Sequence, residues 1–303
     1  MARGQIALKR LNEEEARELL EGLRWANGKA CPHCGNCDQA RITKLQGKST
    51  RAGVYKCKDC RKPFTVTVGT VMERSRVPLR DWVYVFAAIC ASKKGISAHQ
   101  ISRELGCQYK TAWFMAHRVR LAMRTEAMGK LMGTVSVDET YVGGKPRNPG
   151  EVKPKLPVVA LVEKGGRVRS RVTTDVTARN LRKYMVENID KSATIMTDEA
   201  PLYKNIGKQF AGHKKVNHSE RQYVGKDGAT SNEVESYFAT LKRGIYGTFH
   251  HVSPQHLQRF VDEFDFRWSN REVSDTERTF IAIAQADGKR LMYRKPAQPG
   301  QAA

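Results

Sequence analysis

Three acidic residues that could bind metal stand in a chain that is otherwise strongly basic. Asp138 and Asp198 each follow a short run of apolar and β-branched residues, and Glu235 lies in a pattern typical of a helix. The 53 Lys and Arg residues outnumber the 31 Asp and Glu residues, so the formal net charge is +22. A chain this basic attracts nucleic acid. Converging carboxylates would oppose that attraction unless divalent cations neutralised them, and metal ions beside nucleic acid indicate phosphodiester chemistry.

The two aspartates are expected at one edge of a sheet. An acid that ends a strand projects from the sheet edge, where α/β sheets commonly bind ligands. The segment between Asp138 and Asp198 is long enough for a hairpin and a helix, so the two strands can be neighbours. Glu235 would reach the same edge from a helix laid across the sheet. Three carboxylates can hold two divalent ions roughly 3.5–4 Å apart, and oxygen ligands favour Mg²⁺ or Mn²⁺ over zinc.

Several neighbouring residues compete with these acids. Glu139 and Glu199 follow the two aspartates directly, but on a strand they would point to the opposite face, so we prefer the aspartates. Asn232 lies one turn before Glu235 on the same helix face and could supply an amide ligand instead; both remain open. Glu233 should face elsewhere on that helix.

Lys242 lies seven positions after Glu235 in the same predicted helix. Seven residues return to nearly the same helix face, roughly 10.5 Å further along the axis. A lysine there could hold a DNA phosphate beside the metals. Taken alone, Lys242 is better interpreted as an ordinary solvated lysine.

Four of the seven cysteines form two close pairs, Cys31-Pro-His-Cys34 and Cys57-Lys-Asp-Cys60. Two such knuckles, separated by a basic and strand-like segment (41–55), are typical of a zinc ribbon in which Cys31, Cys34, Cys57 and Cys60 complete a tetrahedron. The alternation of β-branched residues over 64–71 predicts a further strand of the ribbon. Cys37 is interpreted as a bystander.

The segment after the ribbon predicts a helix-turn-helix. Pro78 and Ser97 begin two helices, Gly106 ends the second, and a third runs to about Met123. The start of the third helix would meet base edges, and a plain helical bundle is the alternative. The predicted DNA-binding residues are Gln108, Tyr109, Lys110, Thr111 and Arg118. Residues 29–130 carry 20 basic and 6 acidic residues, a net +14, which marks the amino-terminal third as the main docking surface for double-stranded DNA.

Beyond Gly133 the periodicity predicts a mixed sheet flanked by helices. Strands are predicted at 134–138, 156–163, 168–172, 194–197 and near 215–218, with helices beginning at Thr177 and Ser231 and another covering 256–268. The segment 143–155 is predicted to be a mobile loop, and the tail from Lys295 disordered. With no signal peptide and no apolar run as long as a membrane span, we expect a cytoplasmic, nucleoid-associated protein without membrane contact.

The combined motifs resemble those of bacterial insertion-sequence DDE transposases with an amino-terminal zinc ribbon. The motifs that carry the resemblance are Cys-Pro-His-Cys (31–34), Tyr-Lys-Cys-Lys-Asp-Cys (55–60), Val-Asp-Glu-Thr-Tyr-Val-Gly-Gly (137–144), Thr-Asp-Glu (197–199), the run from Asn232 to Gly247 and the run from Phe249 to Phe260. The resemblance implies a multidomain α+β chain with an RNase H-like mixed α/β catalytic core. The expected division is an N-terminal helix (1–28), zinc ribbon (29–75), helix-turn-helix (76–128), catalytic domain (129–288) and tail (289–303).

The resemblance also implies the site and the reaction. The family's acids correspond to Asp138, Asp198 and Glu235, and its basic residue to Lys242. Water would attack the phosphodiester at the terminal inverted repeats, and the freed 3′-hydroxyl would attack target DNA. Because two DNA ends must be handled together, we expect a homodimer or a larger assembly. The alternatives are a non-catalytic DNA-binding regulator derived from a transposase, and a nuclease without strand transfer.

Overall fold

The computed structural model describes residues 8, 10–125, 129–143, 155–198, 200–203, 205–215 and 232–292. Glu199, the helix cap at Ser231, most of the predicted loop 143–155, residues 216–218 and the tail from Lys295 lie outside them. The chain forms two compact units. Unit 1 comprises Met1–Ser92, Ser97–Met123 and Ser274–Ala303, and unit 2 comprises Lys93–Ile96 and Arg124–Val273.

Unit 1 begins with a helix and a small antiparallel sheet. The elements are α1 (Glu13–Arg24), β1 (Ile42–Lys44), β2 (Tyr55–Cys57) and β3 (Pro63–Phe64), with strand order β1-β2-β3. The predicted capping box forms at α1, because the Asn12 side chain accepts from the Glu15 backbone and the Glu15 side chain accepts from the Asn12 backbone.

The ribbon differs from its prediction after Phe64. The strand predicted over 64–71 is wrong, since β3 ends at Phe64 and turns follow. The Thr70 backbone N–H and hydroxyl both donate to the Thr67 carbonyl, at 3.2 and 2.8 Å, and the Thr70 hydroxyl also accepts from Met72. These local bonds satisfy the backbone without a ladder, so the β-branched residues here form turns.

Four further helices complete unit 1 in the described part of the chain: α2 (Leu79–Ala91), α3 (Ala98–Leu105), α4 (Tyr109–Met123) and α8 (Asp275–Ala284). The predicted helix signals act as expected. The Ser97 side chain caps α3, and Gly106 ends it in the left-handed region at φ 62°.

Helix α8 changes the expected division of the chain. The catalytic domain was predicted to run to residue 288, but unit 2 ends at Val273 and α8 packs in unit 1. The Arg278 guanidinium donates to the Cys90 carbonyl at the end of α2, at 3.0 Å. The predicted ribbon and helix-turn-helix segments also share this unit. Contacts between residues so distant in sequence leave no periodic signal from which a boundary could be read.

Unit 2 contains a five-stranded mixed sheet in the described residues, in the order β6-β5-β4-β7-β8. Its strands are β4 (Thr134–Gly143), β5 (Lys155–Glu163), β6 (Val168–Val172), β7 (Thr194–Thr197) and β8 (Gly212–Lys215). Strands β4, β5 and β6 pair antiparallel, whereas β7 runs parallel to both β4 and β8. The predicted mixed sheet is therefore confirmed.

The sheet is covered on both faces. The flanking elements are α5 (Ala178–Asn188), α6 (Asn232–Gly244), a π-helical segment (Ile245–Phe249) and α7 (Pro254–Ser269). Val135 and Val137 of β4 pack in one core with α5, while Val142 packs in the other core with α6 and α7. Because side chains alternate along a strand, Asp138 belongs to the α6 face and Glu139 to the α5 face. No helix of the described residues is long and apolar enough to cross a membrane.

Candidate carboxylate and zinc sites

The four cysteines predicted to bind zinc form one cluster. Their sulfur atoms all lie within 4.8 Å of one another. The Sγ–Sγ distances are 3.6 Å between Cys31 and Cys60, and 3.7 Å between Cys34 and Cys57. Zn–S bonds of about 2.3 Å in a tetrahedron place the sulfurs about 3.8 Å apart, so the set fits a structural zinc ion.

Hydrogen bonds favour the thiolate form of Cys57 within this cluster. The backbone N–H of Cys60 is the main cause that lowers the pKa of the Cys57 thiol to about 6, and the Asn36 amide acts in the same direction. The Asn36 Nδ2 lies 3.7 Å from the Cys57 sulfur. A thiol with a lowered pKa yields the thiolate that zinc requires. Cys37 is exposed and outside the cluster, as predicted.

Asp138 does not end its strand, which corrects the prediction. Strand β4 continues to Gly143, and Asp138 lies opposite Ala160 of β5 in the middle of the ladder. The strand continues because β5 supplies a partner for every residue from Val135 to Gly143. On its other side, β7 pairs only with residues 134–136. Asp138 therefore borders the site because the neighbouring strand β7 ends there, and not because β4 itself ends.

Asp198 directly follows the last residue of β7, as predicted. Ser136 pairs with Met196 in parallel register, and continuing that register by two residues places Asp198 beside Asp138. Adjacent strands lie about 4.8 Å apart. The Asp198 carboxylate also accepts from the Ala200 backbone at 3.1 Å, so this residue begins the turn that ends β7.

Glu235 lies on the exposed side of the first turns of α6. Its charge is close enough to raise the pKa of Asp138. Glu233 points away, because its carboxylate accepts from the backbone of Gly165 at 3.2 and 3.3 Å. Asn232, the rival ligand, is exposed one turn earlier. Whether it replaces Glu235 stays a prediction.

The electrostatics of Asp138 show that the three acids share one environment. Burial is the main cause that raises the pKa of Asp138 to about 6; the nearby charges of Glu139, Asp198 and Glu235 raise it further, while a hydrogen bond from the Glu139 backbone opposes them. That hydrogen bond measures 2.8 Å. Acidic side chains whose charges raise the pKa of a neighbouring carboxyl favour a cation between them.

The acid group is nevertheless open. Among the described residues, the cysteines are the one set of three or more metal donors within 4.8 Å of each other, so the acids are spaced more widely. All three supply oxygen, which fits Mg²⁺ or Mn²⁺. Lys242 is exposed in the last turn of α6, on nearly the same helix face as Glu235.

Glu139 occupies the opposite face of β4, as predicted. The Tyr203 hydroxyl donates to its carboxylate at 2.5 Å. Burial is the main cause that raises the pKa of Glu139, and the charge of Asp198 adds to it. Tyr203 is fully buried in the core with α5. Glu139 is therefore a bonded residue beneath the site.

Asp265 of α7 was missed by the sequence reasoning. Its carboxylate accepts from the Ser170 backbone at 2.7 Å and from the Tyr237 hydroxyl at 2.5 Å, and the Ser170 hydroxyl lies 2.8 Å away. Shielding from solvent raises its pKa to about 7 despite these hydrogen bonds. The network ties β6 and α7 to α6, two residues from Glu235. An aspartate on an amphipathic helix gives no sequence signal of such burial.

The predicted DNA-contacting residues separate into two groups. Gln108, Tyr109 and Lys110 are exposed at the start of α4, and Thr111 is half-buried. The Tyr109 ring stacks on His99 of α3, with centroids 4.3 Å apart. These positions leave polar and aromatic groups accessible at the start of α4, which is the part of a recognition helix that meets base edges.

Arg118 does not fit the predicted DNA contact. It is 9 % exposed, and its guanidinium lies 4.5 Å from the Phe114 ring centroid and donates to the Glu73 carbonyl at 3.1 Å. Helix α4 buries this face against the unit, so Arg118 serves packing. Periodicity alone did not distinguish the two faces, because the helix carries basic residues on both.

Comparison with known protein families matches two separate segments of the chain. Residues 130–269 match the profile of the ISXO2-like transposase domain, and residues 11–63 match that of the transposase zinc-ribbon domain, both of the IS1595 type. The chain therefore contains an ISXO2-like transposase domain preceded by a transposase zinc-ribbon domain. These two matches confirm the resemblance to an insertion-sequence transposase, and the predicted zinc ribbon and mixed α/β core are confirmed.

One relative of this transposase is an uncharacterized protein in the transposable element ISH50 of Halobacterium salinarum (strain ATCC 700922 / JCM 11081 / NRC-1). The two are 29% identical over 285 residues, which span 87% of this chain and 92% of the relative.

Two solved structures share 12% identity with the chain. A simian T-cell lymphotropic virus intasome in complex with PP2A regulatory subunit B56 gamma gives a TM-score of 0.31, over 72% of this chain and 78% of that one. The Mos1 mariner paired end complex with Mn gives 0.25, over 93% of both. TM-scores this low do not establish a shared fold.

Proposed function

We propose that this transposase cuts DNA at the terminal inverted repeats of an insertion sequence and joins the freed 3′ ends to target DNA. One observation carries the proposal: Asp138, Asp198 and Glu235 come from two strands and a helix, yet the latter two act together on the pKa of the first. A perturbed acid with further carboxylates beside it at a sheet edge is typical of a catalytic site.

Each residue has a defined part in this proposal. Asp138 lies in the middle of the β4–β5 ladder, which fixes the backbone that carries its carboxylate. Asp198 and Glu235 complete an oxygen donor set open on one side, where a DNA phosphate can enter. Bound Mg²⁺ or Mn²⁺ would supply activation of the attacking oxygen and stabilisation of the leaving oxygen. Lys242 would hold a neighbouring phosphate, which positions the scissile bond along the axis of α6.

The start of α4 would read the element ends. Exposed Gln108, Tyr109 and Lys110 can meet base edges in the major groove. Basic residues elsewhere in the segment 29–130 would contact phosphates. Cleaving and joining two ends in one reaction requires two active sites, so the functional form would be a dimer or a larger assembly on DNA.

The experiment is incubation of the full chain with a labelled fragment of the element's end, Mg²⁺ and a target plasmid. We expect Mg²⁺-dependent nicking at the terminus and labelled strands joined to the plasmid. The Asp198→Ala variant should bind the fragment and yield neither product. Binding by the parent without cleavage would indicate the DNA-binding regulator instead, and cleavage without joining would indicate a nuclease.

A further inference from the structure

Unit 1 contains an open cleft of about 740 Å³ that lies apart from the start of α4. Its walls are the ribbon loop at 51–53, the turns at 65–67, and the segment 72–82 that leads into α2. Four arginines line it, Arg17, Arg51, Arg76 and Arg80, together with a single acid, Glu13. Four arginines against one acid give the lining a formal charge of +3, which favours an anionic ligand.

The acidic side chains Glu13 and Glu14 beside this cleft are already bonded to partners within the chain. The Glu13 carboxylate accepts from the backbone N–H groups of Leu79 and Arg80, at 2.9 and 3.1 Å, at the start of α2. Arg17 is paired with Glu14 and buried, and Arg80 is paired with Asp81. Arg51 and Arg76 are exposed, and neither has an ion-pair partner among the described residues. Two arginines thus remain to attract an outside anion.

The wall also offers a hydrogen-bond donor. The Ser75 hydroxyl oxygen accepts from the Val77 backbone at 3.1 Å and from the Trp82 indole at 3.2 Å. With both acceptor positions used, its hydrogen remains as a donor, and Ser75 lines the cleft. Phosphate oxygens accept hydrogen bonds from donors of this kind, whereas a cationic ligand cannot accept one from this hydroxyl.

The cleft is held in shape by close contacts. Gly53 adopts φ +77°, and a Cβ there would lie 2.4 Å from Arg17 Cδ, so the ribbon loop rests directly on α1. The Tyr55 hydroxyl donates to Glu21 of α1 at 2.7 Å. A preformed wall lets the arginines bind a ligand without ordering the backbone first.

We propose that this cleft binds the phosphate backbone of double-stranded DNA, as a second, sequence-independent contact beside the base-reading start of α4. The proposal rests on the proposed function in that DNA is the ligand of the chain. The surrounding segment 29–130 carries 20 basic against 6 acidic residues, which favours a long polyanion over a small acidic ligand. An acidic protein segment is the competing occupant, and the test below distinguishes it.

The test measures binding of the full zinc-loaded chain to a fluorescent duplex of unrelated sequence, by anisotropy, from 50 to 400 mM KCl and without added Mg²⁺ or Mn²⁺. The variant is Arg51→Gln/Arg76→Gln. The charge-preserving variant is Arg51→Lys/Arg76→Lys, and the charge-matched control is Arg179→Gln/Lys183→Gln on the exposed face of α5. Each phosphate contact contributes a slope of about −0.9 to log K against log salt.

We expect the Gln double variant to reduce the slope by about two and to weaken binding at 150 mM KCl about tenfold or more. The Lys variant should keep the parent slope, and the α5 control should change it little. An unchanged slope in the Gln variant, or an equal loss in the control, overturns the proposal and leaves an acidic protein segment as the occupant.

Two controls keep these results decisive. If the Gln double variant loses zinc or its parent circular dichroism, the single variant Arg76→Gln decides, with an expected slope change of about one. Because binding is measured without metal, failure here with normal Mg²⁺-dependent cleavage refutes the cleft alone. Normal results here with no cleavage by the parent refute the proposed catalysis alone.

Discussion

The zinc ribbon and the metal site proposed at the carboxylate edge are of opposite construction. The four cysteines come from two knuckles between Cys31 and Cys60, and their sulfurs lie within 4.8 Å of each other. The three acids come from two strands and a helix, and do not reach that proximity. A closed set of thiolates suits an ion that holds the fold, whereas an open set of oxygens leaves room for substrate phosphate. We therefore expect the zinc site to stabilise the fold and the carboxylate site to carry the chemistry.

The largest effect is expected at the carboxylate edge. Asp138→Ala should reduce Mg²⁺-dependent cleavage about a thousandfold or more, because metal activation accounts for several kcal/mol of the barrier. DNA affinity should stay within about twofold of the parent. The matched control is Glu139→Gln, on the other face of β4 and bonded to Tyr203, which should keep most activity. Parent-level cleavage by Asp138→Ala would refute the assignment.

The second largest effect is expected at the zinc ribbon, where removing one cysteine should cause loss of both the metal and the fold. Cys57→Ser should lower zinc from one ion per chain to none and unfold the ribbon, because binding free energy of structural zinc is folding free energy. Zinc content per chain measures the first effect, and the rate of proteolytic cleavage within residues 11–63 of the full chain measures the second. Cys37→Ser, exposed and outside the cluster, should keep one zinc ion. Full zinc content in Cys57→Ser would contradict the four-cysteine site.

A smaller effect should identify the third ligand on α6. Glu235→Gln removes a charge beside Asp138 and should reduce cleavage about a hundredfold, on the order of 3 kcal/mol. Glu233→Gln alters a neighbouring acid that bonds the Gly165 turn and should cost less than about threefold. Asn232→Ala should also be mild. If Asn232→Ala abolishes cleavage while Glu235→Gln does not, the assignment of the ligand reverses.

The smallest effect concerns the network beneath α6. The folded state raises the pKa of Asp265 from its ordinary value near 3.8 to about 7. Its protonated form therefore contributes stability that is complete below about pH 4 and is lost as pH rises through 7. Asp265→Asn lacks this dependence. The difference in unfolding free energy between parent and variant should change between pH 4 and 7, on the order of 1 kcal/mol or more.

Urea unfolding at several pH values, followed by tryptophan fluorescence, measures that difference. Asp175→Asn changes an exposed acid of the same unit and serves as the control. A parent-minus-variant difference that is flat from pH 4 to 7 would contradict the raised pKa of Asp265.

The sequence predicted local features well. Caps such as Asn12 and Ser97 act over three residues, and the cysteine knuckles hold their ligands within a turn, so their spacing alone indicates their structure. Strand alternation likewise separated Asp138 from Glu139. These features depend on neighbours in sequence.

Features that depend on distant partners were not predictable. The strand through Asp138 continues because β5 pairs with it, and α8 joins unit 1 through Arg278 and Cys90. Arg118 is buried by packing that its own helix does not reveal. Asp265 acquires its role from Ser170 and Tyr237, on separate elements. In each case, the deciding contact lies far along the chain.

The most direct test of the central claim is Mn²⁺ binding to the full chain, measured by electron paramagnetic resonance with zinc content determined on the same sample. We predict that the parent binds Mn²⁺ and one zinc ion. Asp138→Asn should lose Mn²⁺ binding and keep the zinc. Mn²⁺ binding by Asp138→Asn at parent affinity would contradict the claim that this carboxylate edge holds the catalytic metal.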